Sequence, residues 1–337
     1  MTQRAGCSPS RPGRRALLAG LGAALATGAA PARAAAGITL LSGFRPGGLT
    51  DIAAQAIAPG FGRGMGGATT VAHRPGSNGD AALMAALGQS GDGRTFLLAH
   101  NAQMVVQGFG QPNRTIDTQP LMPVAAVAEA PLLLVAHRDV PARDAEELAA
   151  WLRRQPLPLV YAAASPGGLG HCAFQLWLRH AGHTAAPRQI HMRTYHDGAG
   201  PALAELLRGE AKLGFFSAPA VLPAIAAGQA QAVLATGAKR LAALPTVATA
   251  AEQGLPELAP LTAWTGLFAM PRTPDAAIAR ANTALNAALA EPATRQVLEA
   301  RGATVLGGTA AALKQRLGAE EARWVALSEA QEFDVDG

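Results

Sequence analysis

The feature that most restricts the fold is a seven-residue turn, Arg45-Pro46-Gly47-Gly48-Leu49-Thr50-Asp51, set between two different apolar runs. Ile38-Thr39-Leu40-Leu41 before it has the length and character of a buried strand. Ile52-Ala53-Ala54-Gln55-Ala56-Ile57-Ala58 after it reads as an apolar helix. The glycines therefore mark a strand-to-helix turn, where the backbone can approach a bound group and Thr50 or Asp51 is placed to cap the helix. Unpaired N–H groups and the positive end of a helix dipole converge at such a turn, which suits an anion. A capped turn with nothing bound fits the same seven residues, so the remaining segments must discriminate.

The arrangement recurs in the middle of the chain. Leu159-Val160-Tyr161-Ala162-Ala163 reads as a strand, Ser165-Pro166-Gly167-Gly168-Leu169-Gly170 as a glycine turn, and 171–178 as a helix. Phe174, Trp177 and Leu178 fall at helical spacing and are expected in the core rather than at a ligand. Two strand–glycine turn–helix units in separate halves can face one another across a cleft, each offering backbone donors to one end of a dianion. Ser165 and His171 carry three readings: ligand contacts, a local cap, or a nucleophile with its base. The last needs a third orienting group and a strained elbow, and no G-x-S-x-G pattern occurs in the chain.

Further strands are expected at 69–72, 95–99 and 131–136, and helices at 80–87, 144–151, 276–289 and 311–328. The alternation predicts α/β layers with parallel strands, whose ligands bind beyond the carboxyl ends of the strands where loops enter helices.

The N-terminus changes how composition is read. Arg14-Arg15 precede a small, apolar run over 16–26, and Ala32-Arg33-Ala34 is an A-x-A cleavage pattern. These are the parts of an export signal and too short for a membrane span; the paired arginines also fit a twin-arginine signal. Residues 1–34 are expected to be removed, leaving an exported protein. That segment holds Arg4, Arg11, Arg14, Arg15 and Arg33 and no acid, so Lys+Arg falls from 28 to 23 against 23 Asp+Glu. The formal charge of +5 thus belongs to the signal and gives no support to nucleic-acid binding. Cys172 would be the sole remaining cysteine and cannot form an internal disulfide. The histidines form no close metal pattern: His180 and His183 lack a third ligand. Neither a G-x-x-x-x-G-K-[ST] nor a helix-opening G-x-G-x-x-G loop occurs, and no cofactor is expected.

Beyond the two turns, the order of motifs carries a resemblance. Phe44 with Pro46-Gly47-Gly48-Leu49-Thr50-Asp51, then Arg74-Pro75-Gly76-Ser77-Asn78-Gly79, then Asp92-Gly93-Arg94-Thr95-Phe96-Leu97-Leu98 stand in an order that resembles the Bug-type periplasmic receptors of tripartite tricarboxylate transporters. Leu244-Pro245-Thr246-Val247-Ala248-Thr249, Glu252-Gln253-Gly254-Leu255-Pro256 and Trp264-Thr265-Gly266-Leu267-Phe268 continue that order. Two departures stand out. The second glycine loop has about two fewer residues before His171 than is usual in the family. Thr194-Tyr195-His196-Asp197-Gly198 replaces the family's P-Y-K/R-G-G, exchanging a fixed cation for His196 and bringing Asp197 near the expected cleft.

The resemblance implies a type II-like, two-lobed periplasmic-binding-protein fold that closes like a Venus flytrap on a small organic acid. One lobe is expected from 37–136 and 246–337, the other from 137–245. The expected binding residues are Pro46, Gly47, Gly48, Thr50, Asp51, Ser165, Gly167, Gly168, Gly170, His171, Tyr195, His196 and Asp197. The implied function is capture of a carboxylate and delivery to membrane permease subunits, by a monomer that is not an enzyme. A sensor input for a signalling protein and an exported serine hydrolase are the alternatives.

Overall fold

The computed structural model describes residues 37–89, 91–110, 114–155, 159–165, 167–182, 190–194 and 198–330. The first part of the chain runs β1 (Ile38–Ser42), α1 (Leu49–Met65), β2 (Thr69–His73), α2 (Asp80–Leu87) and β3 (Thr95–His100). A π-helical turn at Ala102–Val106 leads into α3 (Gln107–Gly110) and the long β4 (Met122–His137). Then follow α4 (Ala145–Leu152), β5 (Leu159–Ala163), α5 (Leu169–His180), β6 (Ile190–Thr194), α6 (Ala199–Leu207), β7 (Leu213–Ser217), α7 (Ala218–Ala226) and β8 (Ala230–Ala235). The chain finishes with β9 (Thr262–Ala269), α8 (Asp275–Ala290), α9 (Pro292–Glu299), β10 (Thr304–Gly307) and α10 (Ala310–Ala330).

The strands fall into two groups that share β4. β2, β1 and β3 are parallel, and β9 joins β3 to β4 antiparallel, with β10 also on β4. β6, β5 and β7 are parallel, and β7 and β8 both pair antiparallel with the far end of β4. The expectation of parallel strands is therefore corrected to a mixed sheet. The strands that follow a crossover helix are parallel, while β4 and β9 bring the chain across and back and must oppose their neighbours. β4 pairs with β9 up to Pro131 and with β7 from Leu132 onward. At that change of partner the buried Thr236 hydroxyl accepts from the Leu132 N–H at 2.8 Å and donates to the Leu261 carbonyl at 2.6 Å. One side chain thus stitches both strands that cross between the halves.

Packing explains much of the glycine and alanine content. α1 lies against α8 through Gly60 and Gly64, where a β-carbon would stand 3.0 Å from the Ala288 Cα and 2.9 Å from the Ala284 Cα. Helix backbones this close exclude any side chain at either glycine. α1 ends at Gly66, whose φ of 73° supplies the left-handed cap and returns its N–H to Arg63 and Gly62. α4 is capped by Asp144, which accepts from the Glu147 N–H, while the Glu147 carboxylate accepts from the N–H of Arg143 just before the cap. α10 is fastened by the buried Glu320, which accepts from Asn101 Nδ2, Trp264 Nε1 and Trp324 Nε1, each at 3.1 Å. The carboxylate is satisfied by donors from three elements, which is what makes its burial tolerable.

Candidate functional site

The site is built at the carboxyl ends of the parallel strands, where both glycine turns lie. Gly48 enters α1 in an extended conformation (φ −87°, ψ 173°) and carries no side-chain cap. The expected cap arrives from inside the helix instead. Asp51 turns back, and its Oδ2 accepts from the Gly47 N–H at 2.9 Å. Thr50 is buried and makes no cap bond. His73, at the end of β2, holds the turn from the other side: Nδ1 lies 2.9 Å from the Phe44 carbonyl and Nε2 3.3 Å from Asp51 Oδ1. Arg45, Pro46 and Gly47 are exposed. Among the described residues nothing accepts from the N–H groups of Gly48, Leu49 and Thr50, so the amino end of α1 presents three donors.

The second turn has the same plan. Gly168 enters α5 at φ −82° and ψ 174°, and Gly167 before it has φ 60°, as Gly47 has φ 107°. The residue four positions after the first glycine again closes the turn, but here it is an imidazole: the Gly167 N–H donates to His171 Nδ1 at 2.8 Å. An accepting Nδ1 leaves the ring proton on Nε2, which donates to the Gln175 side-chain amide 2.9 Å away when that amide is turned to present its oxygen. Gly168 donates to the Ser165 carbonyl at 3.2 Å, and no described residue accepts from the N–H groups of Leu169 and Gly170. A β-carbon at Gly168 would lie 1.9 Å from Ser165 Oγ, so the hydroxyl occupies the space a side chain there would need. Gly170 serves packing: its missing β-carbon would stand 2.8 Å from the Phe215 carbonyl on β7. Beneath the turn Cys172 is buried, and burial pushes its thiol up to about 12, so it is inert.

Several residues with no sequence signal support the first turn. The Gln103 amide is wedged between two loops, donating to the Gly79 carbonyl at 2.9 Å and accepting from the His100 N–H at 3.1 Å. Arg114 pairs with Asp80 at 2.8 Å and donates to the Gln103 carbonyl. His100 Nδ1 accepts from the Ala102 N–H at 3.1 Å, and burial pulls this imidazole down to about 4. Phe44 stands edge-on to His100, with centroids 6.1 Å apart. For His73 and His100 the one available signal is their place at strand ends. Gln103 sits in the π-helical turn, a distortion no periodicity announces.

The structure therefore brings Gly47 to Asp51, Gly167 to His171 and Ser165 to Gly168, and sets Pro46 on an exposed turn. Pro166, Tyr195, His196, Asp197 and His183 lie outside the described residues, as does the segment 1–34. Among the described residues no group of three or more His, Cys, Asp or Glu could hold a metal ion, and no helix is long and apolar enough to cross a membrane.

Residues 53–333 match the family described as the tripartite tricarboxylate transporter family receptor. The protein BugT of Bordetella pertussis is 29% identical over 313 residues, covering 92% of each chain. Among solved structures, Rpa4515 of R. palustris with adipate superposes at a TM-score of 0.80, with 27% identity over 87% of this chain and 96% of that one. MatC of Rhodopseudomonas palustris with bound malate gives 0.78, with 26% identity over 86% and 98%. The neighbours are binding proteins, and their fold is the two-lobed periplasmic one. With the family match spanning most of its length, this chain belongs to the tripartite tricarboxylate transporter receptor family.

Proposed function

We propose that this protein captures a small carboxylate-bearing metabolite in the cleft between two lobes and hands it to the membrane permease of a tripartite tricarboxylate-type transporter. The observation that carries the reading is the pair of glycine turns, one in each strand group, each leading into a helix whose N-cap glycine offers no side-chain cap. Malate and adipate, bound by the two structural neighbours, fit this chemistry as ligands here too. The ligand's carboxylates are held by N–H groups of Gly48, Leu49 and Thr50 on one side and of Leu169 and Gly170 on the other, with the Thr50 and Ser165 hydroxyls adding donors. Gly47 and Gly167 contribute by shaping the turns, since their own N–H groups are already taken by Asp51 and His171. Charge-assisted hydrogen bonds contribute about 1.5–3 kcal/mol each, so two or three per lobe suffice without a salt bridge.

The lobes are 37–136 with 246–337, and 137–245, with β4 shared at the boundary. Residues 1–34 direct export by the general secretory or twin-arginine route, and the mature receptor works as a periplasmic monomer. It is a binder and not a hydrolase. His171, the one base beside Ser165 in sequence, spends its acceptor nitrogen on the Gly167 N–H. Tyr195, His196 and Asp197 are assigned to the same ligand by the match of their segment to the family's P-Y-K/R-G-G.

Calorimetric titration with malate, adipate and citrate tests the reading, using two variants. A β-carbon at Gly48 meets open space, so Gly48→Asp should fold normally while adding a like charge among the donors. Its affinity should fall at least tenfold, equivalent to about 1.4 kcal/mol, whereas Arg45→Ala should change it far less. Binding abolished by Arg45→Ala but intact in Gly48→Asp would defeat the backbone-donor mechanism.

A further inference from the structure

Phe44 and Gly198 meet although they belong to different strand groups. Phe44 follows β1, and Gly198 follows β6 at the amino end of α6. A β-carbon built on Gly198 would lie 3.4 Å from Phe44 Cδ1 and 3.6 Å from its Cβ. The Phe44 ring is half-buried, backed on one edge by His100 and set against the Gly198 backbone. Gly198 has φ 104° and ψ −168°, a region that only glycine occupies without strain. The backbone angles keep residue 198 a glycine, and a β-carbon there would rest in ordinary van der Waals contact with the ring. The ring comes from the other strand group, so no local turn makes this contact.

We propose that the Phe44 ring seated on the Gly198 backbone is the interlobe latch, the contact that holds the closed form and slows release of the ligand. Phe44 is thus a positioning residue, acting on the distance between the lobes rather than on the ligand's charge. The consequence for ligand release rests on the receptor reading above; the contact itself does not. Removing the ring leaves the glycine turns intact and withdraws the apolar surface that spans the gap. Ligand should then dissociate faster, with the association rate little changed.

A cross-link tests the latch without any ligand. The separation of 3.6 Å between the Phe44 Cβ and a β-carbon on residue 198 lies within the range a disulfide requires. The double variant Phe44→Cys/Gly198→Cys, in a Cys7→Ser background, should form an intramolecular disulfide under mild oxidation, the oxidant taking two electrons and two protons, read by mass spectrometry as the loss of two hydrogen atoms. The buried, inert Cys172 does not compete. A folded double variant that stays reduced would overturn the proposal. Should the substitution at Gly198 prevent folding, spin labels at the exposed Met84 and Gln229, one on each strand group, give the second readout. Phe44→Ala should lengthen or broaden their distance distribution, and an unchanged distribution would equally overturn the latch. In titrations, Phe44→Ala should weaken whichever of malate or adipate binds by about three- to tenfold, the range expected for loss of an aromatic contact. A cross-link that forms while neither dicarboxylate binds would leave the latch standing and remove the carboxylate reading.

Discussion

At Gly48 and at Gly168 the backbone enters a helix with nearly the same angles, yet the surroundings of the two residues differ sharply. A methyl group added at the first meets open space, while at the second it meets Ser165 Oγ at 1.9 Å and the Ser165 carbonyl at 3.3 Å. Arg45, Pro46 and Gly47 are exposed, whereas Gly167 and Gly168 are buried. The closing group differs as well: the carboxylate of Asp51 in one turn, the neutral acceptor nitrogen of His171 in the other. α1 therefore carries an acid in its first turn and α5 carries none. Closely similar local geometry has been stabilised once by charge at the surface and once by packing in the interior. The glycine is a conformational convenience in the first case and a steric requirement in the second.

The largest effect is expected from acid acting on the support of the first turn, where His100 is buried. Its folded-state pKa of about 4 lies below the ordinary 6.5, because burial disfavours the imidazolium. The unfolded chain therefore binds the proton more readily, and stability present above pH 6.5 is lost as pH falls towards 4. The full difference corresponds to at most about 3 kcal/mol. Urea midpoints of the wild type and His100→Asn at about pH 7, 5.5 and 4.5 should show the wild type losing more on acidification. Parallel profiles would sink the assignment.

The closing groups come next. In His171→Ala the Gly167 N–H is left buried and unpaired, which costs about 2–3 kcal/mol. In Asp51→Ala the exposed Gly47 N–H turns to water, and the loss should stay near about 1 kcal/mol. Equal losses in chemical denaturation would mean that burial is not what separates the turns.

The smallest effect is the one between the glycines themselves. Gly168→Ala should destabilise by about 1–2 kcal/mol through overpacking, while Gly48→Ala stays within about 0.5 kcal/mol of the wild type. Ser165→Gly should rescue the first variant in part. A Gly168→Ala protein as stable as Gly48→Ala would show that the Ser165 hydroxyl simply rotates away.

Much of the scaffold is legible in the chain because its elements are local. The strands expected at 69–72 and 95–99 end within a residue of β2 and β3, and the helix expected at 276–289 is α8 with one residue added at each end. The first part of β4 is not legible, since four of the nine residues Met122–Ala130 are alanine and Pro123 and Glu129 stand among the rest, all residue types depleted in strands. Its antiparallel pairing is hidden for a related reason: direction is a property of the connection, not of the strand.

The sequence by itself determined the two glycine turns, the strands that feed them and the helices that leave them. Each depends on residues within a few positions of one another, and positive φ at Gly47 and Gly167 is a demand the backbone makes locally. Only the tertiary structure decided that Asp51 meets His73, that Gln103 joins two loops, that Thr236 stitches the crossing strands and that Phe44 reaches Gly198. Those contacts join segments far apart in the chain, and nothing in a residue's neighbours along the sequence says which strand end will stand beside it. Shape, direction and the distance between halves come from how the layers close, because close packing admits a side chain only where a distant backbone leaves room for it.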